Sequence, residues 1–144
     1  MTALPDVNVL VALAWPNHVH HAAAVEWFRA ARDQGWATCP ITESGFVRVS
    51  ANPRISGGHV GPAAGCDVLE RLIALGRHDF WADDISFVRS DTVPRHAVHG
   101  YRQVTDAHLL GLARVRGGRL VTFDRGVPGL AGSTTAEAVV LLRQ

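Results

Sequence analysis

TDAHLLGLARVRGGRLVTFDRG, residues 105–126, reads as a helix, a glycine stop and a buried strand, with an acid near each outer end. Asp106 falls in the first turn of the helix, which runs to about Arg116 and halts at Gly117-Gly118. RLVTFD, 119–124, is rich in β-branched and aromatic residues and is the clearest strand of the chain. Helix and strand alternating in this way indicate an α/β fold with a mainly parallel sheet. In such sheets, sites form outside the carboxyl ends of the strands. Asp124 falls at such an end, and Asp106 begins a helix that starts from the same edge.

Two further acids share this setting. Asp6 interrupts LPDVNVLVAL at the end of the first strand, and Glu43 stands in CPITESGFVR at the start of a helix. A lone carboxylate in apolar surroundings costs several kcal/mol, or gives up its charge by taking a proton. Four brought to one point repel one another, at roughly 3 kcal/mol per pair for ~5 Å separation and an effective dielectric of ~20. A divalent cation offsets that repulsion, and oxygen-only ligands select Mg²⁺, with Mn²⁺ able to substitute. The expectation is a metal-dependent phosphoryl-transfer site.

The rest of the chain fits around this core. A strand is predicted over 2–6 and a helix over about 8–15, ending near Pro16. Asn17 is the expected N-cap of a long amphipathic helix through residues 18–35. WATC, 36–39, reads as a strand, and Pro40 opens a helix over about 41–51. NPRISGGHVG, 52–61, reads as a loop, followed by a helix over roughly 62–75. HDFWAD, 78–83, is a predicted strand and 84–101 is mostly connector. After Asp124 a loop containing Gly126, Pro128 and Gly129 leads to a last strand near 137–142. Residues 1–144 are expected to form a single domain, without repeats or a low-complexity tail.

Composition narrows the function. With 47% hydrophobic and 19% charged residues, the 144-residue chain is of ordinary globular type. No stretch approaches the ~20 apolar residues of a membrane helix, and no secretory signal is evident, so a cytoplasmic protein is expected. Cys39 and Cys66 form no CxxC pair and read as reduced thiols. All fourteen cationic side chains are Arg. A Walker A loop, a Schiff-base enzyme and a Lys-dependent phospho-aspartyl site are thereby excluded. DVNVL has a superficial likeness to the nucleophile motif of aspartate-based phosphatases, but Asn8 stands where their second Asp belongs. Once the four acids are set aside, nine acidic residues face fourteen Arg, a surplus suited to phosphate contacts.

Taken together the motifs resemble the PIN-domain ribonucleases, in particular the VapC toxins of type II (VapBC) toxin–antitoxin pairs. The likeness covers nearly the whole chain: D-x-N-x-L at Asp6, T-E at Glu43, T-D-A-x-L-x-x-L-A at Asp106 and L-x-T-x-D-R-G at Asp124. NHVHHAAA, 17–24, resembles the branch expanded in mycobacteria. The resemblance implies a PIN-like three-layer α/β/α fold and an Mg²⁺-dependent endoribonuclease cutting structured RNA such as tRNA or rRNA. It also implies a VapB-type antitoxin, a homodimeric core and a toxin–antitoxin hetero-oligomer. By motif, Asp6 and Asp106 would be the principal metal ligands, with Glu43 and Asp124 completing the site directly or through water. A stand-alone PIN nuclease for RNA processing, or a non-catalytic RNA- or antitoxin-binding module, is the alternative.

Other residues carry weaker signals. Asn8 and Thr122, each two positions from a ligand, are candidates to orient Asp6 and Asp124, or else cap a helix or turn. Arg48, Arg54 and Arg125 lie closest in sequence to the acidic motifs and are candidate RNA contacts. His18, His20 and His21 lack the acid or Cys that would complete a transition-metal site, so packing or polar contacts are expected there. His108 points away from Asp106 on its helix and is expected to pack. Trp15, Trp27, Trp36 and Trp81 are expected core or interface anchors.

Overall fold

Five short strands lie parallel in one sheet, in the order β3-β2-β1-β4-β5. They are β1 (Ala3–Pro5), β2 (Trp36–Thr38), β3 (His78–Phe80), β4 (Arg119–Thr122) and β5 (Val139–Leu141). The helices between them are α1 (Val7–Ala14), α2 (His21–Ala31), α3 (Pro40–Ser50), α4 (Pro53–Ser56), α5 (Pro62–Ile73), α6 (Val104–Val115), α7 (Val127–Ala131) and α8 (Thr135–Ala138). This computed structural model describes the backbone of residues 1–144 and every side chain except that of residue 56.

Alternation along the strands makes three layers. Leu4, Ala37 and Leu120 pack with Leu109, Leu110 and Leu112 of α6 and with Trp81. Trp36, one residue from Ala37, points the other way, into a cluster with Leu10, Phe28 and Phe46 from α1, α2 and α3. Successive side chains of a strand face opposite sides, so a sheet covered on both faces needs apolar residues at every position. The expected α/β fold with a parallel sheet is what forms. No helix among the described residues is long and apolar enough to cross a membrane. Cys39 and Cys66 are both free thiols.

Three local expectations fail for identifiable reasons. Asn17 does not cap α2; its side-chain amide donates to the Ile55 carbonyl at 3.4 Å. Residues 17–20 form a turn in which the His20 amide donates to His18 Nδ1 at 3.0 Å, and the helix starts only at His21. The predicted loop 52–61 contains α4, because Asn52 accepts from the Arg54 amide and Pro53 stands at the first helical position. The predicted loop after Asp124 holds α7 and α8, the first with Pro128 in its opening turn. Proline there loses only an amide that has no helical partner.

Gly117 and Gly118 perform different tasks. Gly117 takes φ +67°, the left-handed turn that ends α6. A Cβ on Gly118 would stand 2.5 Å from the Thr2 carbonyl oxygen and 2.6 Å from the Trp81 ring. That carbonyl accepts from the Arg119 amide at 3.0 Å where β4 joins the sheet, so it cannot withdraw without cost. Gly118→Ala is therefore expected to destabilise the fold by about 1–3 kcal/mol, as overpacking does, read from the urea midpoint.

Candidate functional site

Three of its bonds fix Asp6 in the structure. Its amide donates to the Val121 carbonyl at 2.9 Å, continuing the pairing of β1 with β4. Its Oδ1 accepts from the Val9 amide at 2.9 Å and so caps α1. Its Oδ2 accepts from the Thr122 hydroxyl at 2.6 Å, across the end of β4. The side chain is buried, and burial pushes its pKa up to about 6; the Thr122 and Val9 donors oppose the rise and the Asp124 charge adds to it.

Asp106, in the first turn of α6, is lifted further, to about 7, by burial and then by the charges of Asp6 and Asp124. Among the described residues no donor reaches its carboxylate. Asp124 is exposed; its Oδ1 accepts from the Gly126 amide at 2.7 Å, and its own amide donates to Thr122 Oγ1 at 3.0 Å. Thr122 thus touches both Asp6 and the backbone of Asp124, which gives it the orienting position expected of it.

Glu43 is placed differently. Its Oε2 accepts from the Thr38 hydroxyl at 2.6 Å, and Thr38 Oγ1 lies 2.8 Å from His78 Nε2. The hydroxyl has one proton and spends it on Glu43, so it accepts from His78 Nε2–H. Glu43 is not among the charges acting on Asp6 or Asp106. Three of the four acids therefore sense one another, while Glu43 is turned onto the end of β2. Among the described residues no three His, Cys, Asp or Glu side chains are close enough together to form a ready metal cage. The donor chemistry still fits a hard divalent cation: the available ligands are carboxylate oxygens, and Asp106 carries the repulsion of two other carboxylates with no protein donor among the described residues.

Comparison with known proteins gives the family. The PIN domain profile matches residues 3–132. The chain belongs to the PIN-domain family. It is 58% identical over 140 residues to ribonuclease VapC38 of Mycobacterium tuberculosis, covering 97% of each chain. It is 49% identical over 142 residues to ribonuclease VapC39 of the same species, covering 99% of this chain and 100% of the other. Ribonuclease VapC44 is 42% identical over 127 residues, 88% of this chain and 89% of the other. Within the PIN family, the chain therefore belongs to the mycobacterial VapC group.

The remaining candidates of this PIN domain divide. Asn8 helps Asp6 only through its backbone amide; its side chain is exposed and lines a cleft beside Asp124. Arg48 lines a cleft between α3 and α5 with Glu43, and Arg125 lines another beside Phe123. Arg54 is exposed on α4. His78 and Thr38 escaped the sequence reading: Thr38 reaches Glu43 across the turn from β2 into α3, five residues on, and His78 joins them only once β2 and β3 are paired. His108 packs as expected on Phe87, and its Nε2 also lies 2.8 Å from Asp83, tying the 81–100 connector to α6. Of the tryptophans, Trp36 and Trp81 are core, and Trp15 donates to Ser50 at 2.9 Å.

Two predictions arise from these bonds. Asp6 and Asp106 titrate near 3.8 when unfolded and near 6 and 7 when folded, so between those values the native state holds more protons. The contribution of these two groups to the stability of the metal-free protein is then largest below about pH 4 and is lost as pH rises through 6 and 7. For Asp6 the loss is on the order of 3 kcal/mol. Urea unfolding from pH 4 to 8 reads this, and Asp106→Asn should flatten part of the slope. Secondly, Thr122→Val removes the 2.6 Å donor to Asp6 and should cost about 1.5–3 kcal/mol at pH 8, with less loss at pH 5. An equal loss at both values would mean that the hydroxyl serves packing alone.

Proposed function

We propose that the chain is the toxin of a type II toxin–antitoxin pair, an Mg²⁺- or Mn²⁺-dependent endoribonuclease that cuts structured RNA such as tRNA or rRNA. One observation carries this reading above the others. Asp106, part-buried and without a donor among the described residues, is raised to about 7 by burial and by the charges of Asp6 and Asp124, a strain that a bound cation would relieve. The names of the VapC relatives supply the substrate class.

In this reading Asp6 and Asp106 hold the ion, and Asp124 and Glu43 complete the site directly or through water. Thr122 keeps Asp6 aimed at the common point, and Thr38 keeps Glu43 from swinging into solvent. When bound, the ion supplies positive charge to the scissile phosphate and leaving oxygen and lowers the pKa of the attacking water. Asp6 and Asp106 give up their protons as the ion arrives, so binding releases acid.

A VapB-type antitoxin is the proposed partner, in a hetero-oligomer around a toxin homodimer. Its Arg would enter the acidic cluster and compete with Mg²⁺. The apolar residues of α1 are core, so the covering surface for an antitoxin tail is instead the α3–α5 cleft, where Val47, Leu69 and Ile73 lie beside Glu43 and Arg48.

The experiment is cleavage of total RNA by purified protein with Mg²⁺, with excess EDTA, and after Asp6→Asn, Glu43→Gln, Asp106→Asn or Asp124→Asn. EDTA should abolish cutting, and each substitution should lower it by at least about 100-fold while the protein stays folded, consistent with loss of a group that stabilises charge in the transition state. Growth arrest that needs Asp6 and is relieved by the neighbouring upstream gene identifies the toxin. An active, soluble protein that arrests nothing is a processing nuclease.

A further inference from the structure

Phe123 separates two adjoining clefts beside the acids. On one side Asn8, His18, Val19 and His20 close a space of about 420 Å³ with Asp124. On the other, Arg125, Leu141, Leu142 and Arg143 line one of about 340 Å³. Both volumes fall within the range of small-ligand sites. His20 stacks on Phe123 with ring centroids 4.7 Å apart and planes 27° from parallel. Val19 beside it is 85% exposed. No hydrogen bond involves the His20 ring among the described residues; its backbone amide donates to His18 Nδ1 and its carbonyl accepts from the Ala24 amide. Arg125 and Arg143 are exposed and form no ion pair among the described residues.

We propose that these two clefts form one track for an unpaired stretch of the substrate RNA, with a base stacked at the His20–Phe123 pair and adjacent phosphates held by Arg125 and Arg143. The inference rests on the ribonuclease reading above and extends it to how the strand is presented. Each component has a physical reason. Aromatic rings accept any base face, which suits a strand held without strict sequence choice. Arg pairs with phosphate through two parallel bonds. The exposed Asn8 amide offers both a donor and acceptor to a base edge. Asp124 borders the first cleft, so the backbone continuing from a stacked base passes the acids. A-form duplex RNA hides its base edges and faces, so the track favours loops and single strands.

The test is binding of a fluorescent single-stranded RNA octamer, and of the same sequence as a duplex, to the Asp106→Asn protein in Mg²⁺. Adding His20→Ala should weaken octamer binding roughly 10-fold, and adding His20→Phe should restore most of it. Adding Arg125→Gln with Arg143→Gln should make the slope of log affinity against log salt shallower by about 1.4, two phosphates at about 0.7 each. The duplex should bind more weakly and respond little to His20→Ala. Melting temperatures should fall by no more than a few degrees with His20→Ala, since among the described residues the ring makes only aromatic contacts, chiefly with Phe123, and no hydrogen bond. Equal affinity and salt slope in all variants, or no octamer binding by the parent, overturns the track. So does a result in which these changes spare RNA but weaken the antitoxin, which would make the surface a protein contact. The two readings separate cleanly. Binding that follows the pattern in a protein whose wild type cuts no RNA keeps the track and removes the nuclease. Cleavage indifferent to His20, Arg125 and Arg143 does the reverse.

Discussion

The bond from Thr122 to Asp6 is the constraint on which the rest depends. Asp6 is at once the residue after β1, the cap of α1 and the buried member of the acidic group. A carboxylate in that position is costly to keep ionised, and three donors, the Thr122 hydroxyl and the Val9 and Asn8 amides, reduce the cost without cancelling it. Removing the acid would relieve repulsion but leave the first turn of α1 uncapped and the Thr122 hydroxyl without its acceptor. Fold and site are therefore not separable at Asp6. The same atoms that register β1 against β4 and start α1 also aim the charge.

Thr38 repeats the arrangement one strand away. β1 lies between β2 and β4, and each of those neighbours ends in a fully buried threonine that donates at 2.6 Å to an acid. A threonine suits this place because its methyl packs inward and its hydroxyl leaves the strand at the edge. Such a hydroxyl can also accept a second bond, from the Asp124 amide in one case and the His78 ring in the other. Each acid is thus held by a group that is itself held. Glu43 is bonded at the end of β2 and Asp6 at the end of β4, and the charges that raise Asp6 and Asp106 come from the Asp6, Asp106 and Asp124 group and not from Glu43.

The parts of the architecture legible in the sequence were those encoded locally. RLVTFD, the Gly117-Gly118 stop and the Pro40 helix start each state their conformation within a few residues, and each forms where expected. The failures lie where a residue had two uses. Asn17 is a good cap by type, yet His18 takes up the His20 amide and the asparagine turns to Ile55. Asn52 looked like a loop residue and instead caps a short helix. The site divides in the same way. Carboxylates at strand ends announce themselves because they violate the apolar pattern around them. Thr38 and His78 violate nothing, being ordinary strand residues until β2 and β3 pair. Thr38 reaches Glu43 locally, through the shape of the turn between them, whereas the His78 contact is tertiary and no spacing rule in one sequence contains it.

The end of β4 shows how one short segment serves several purposes. Four consecutive residues leave the sheet in turn. Thr122 points inward to Asp6, Phe123 outward to the His20 ring, Asp124 to the acidic group, and Arg125 to the cleft beyond. The chain bends at Phe123 and turns at Arg125 as it leaves β4, so a carboxylate and a cation stand next to one another in sequence without neutralising each other. Among the described residues Asp124 and Arg125 form no ion pair. The separation matters to any reaction on phosphate. An arginine paired to the acids would fill the place a cation needs and would itself be lost to the strand being bound. Holding the negative and positive groups on either side of an aromatic ring leaves both available, and a polyanion lying across Phe123 would meet Arg125 and Arg143 on one side and a cation held by the acids on the other.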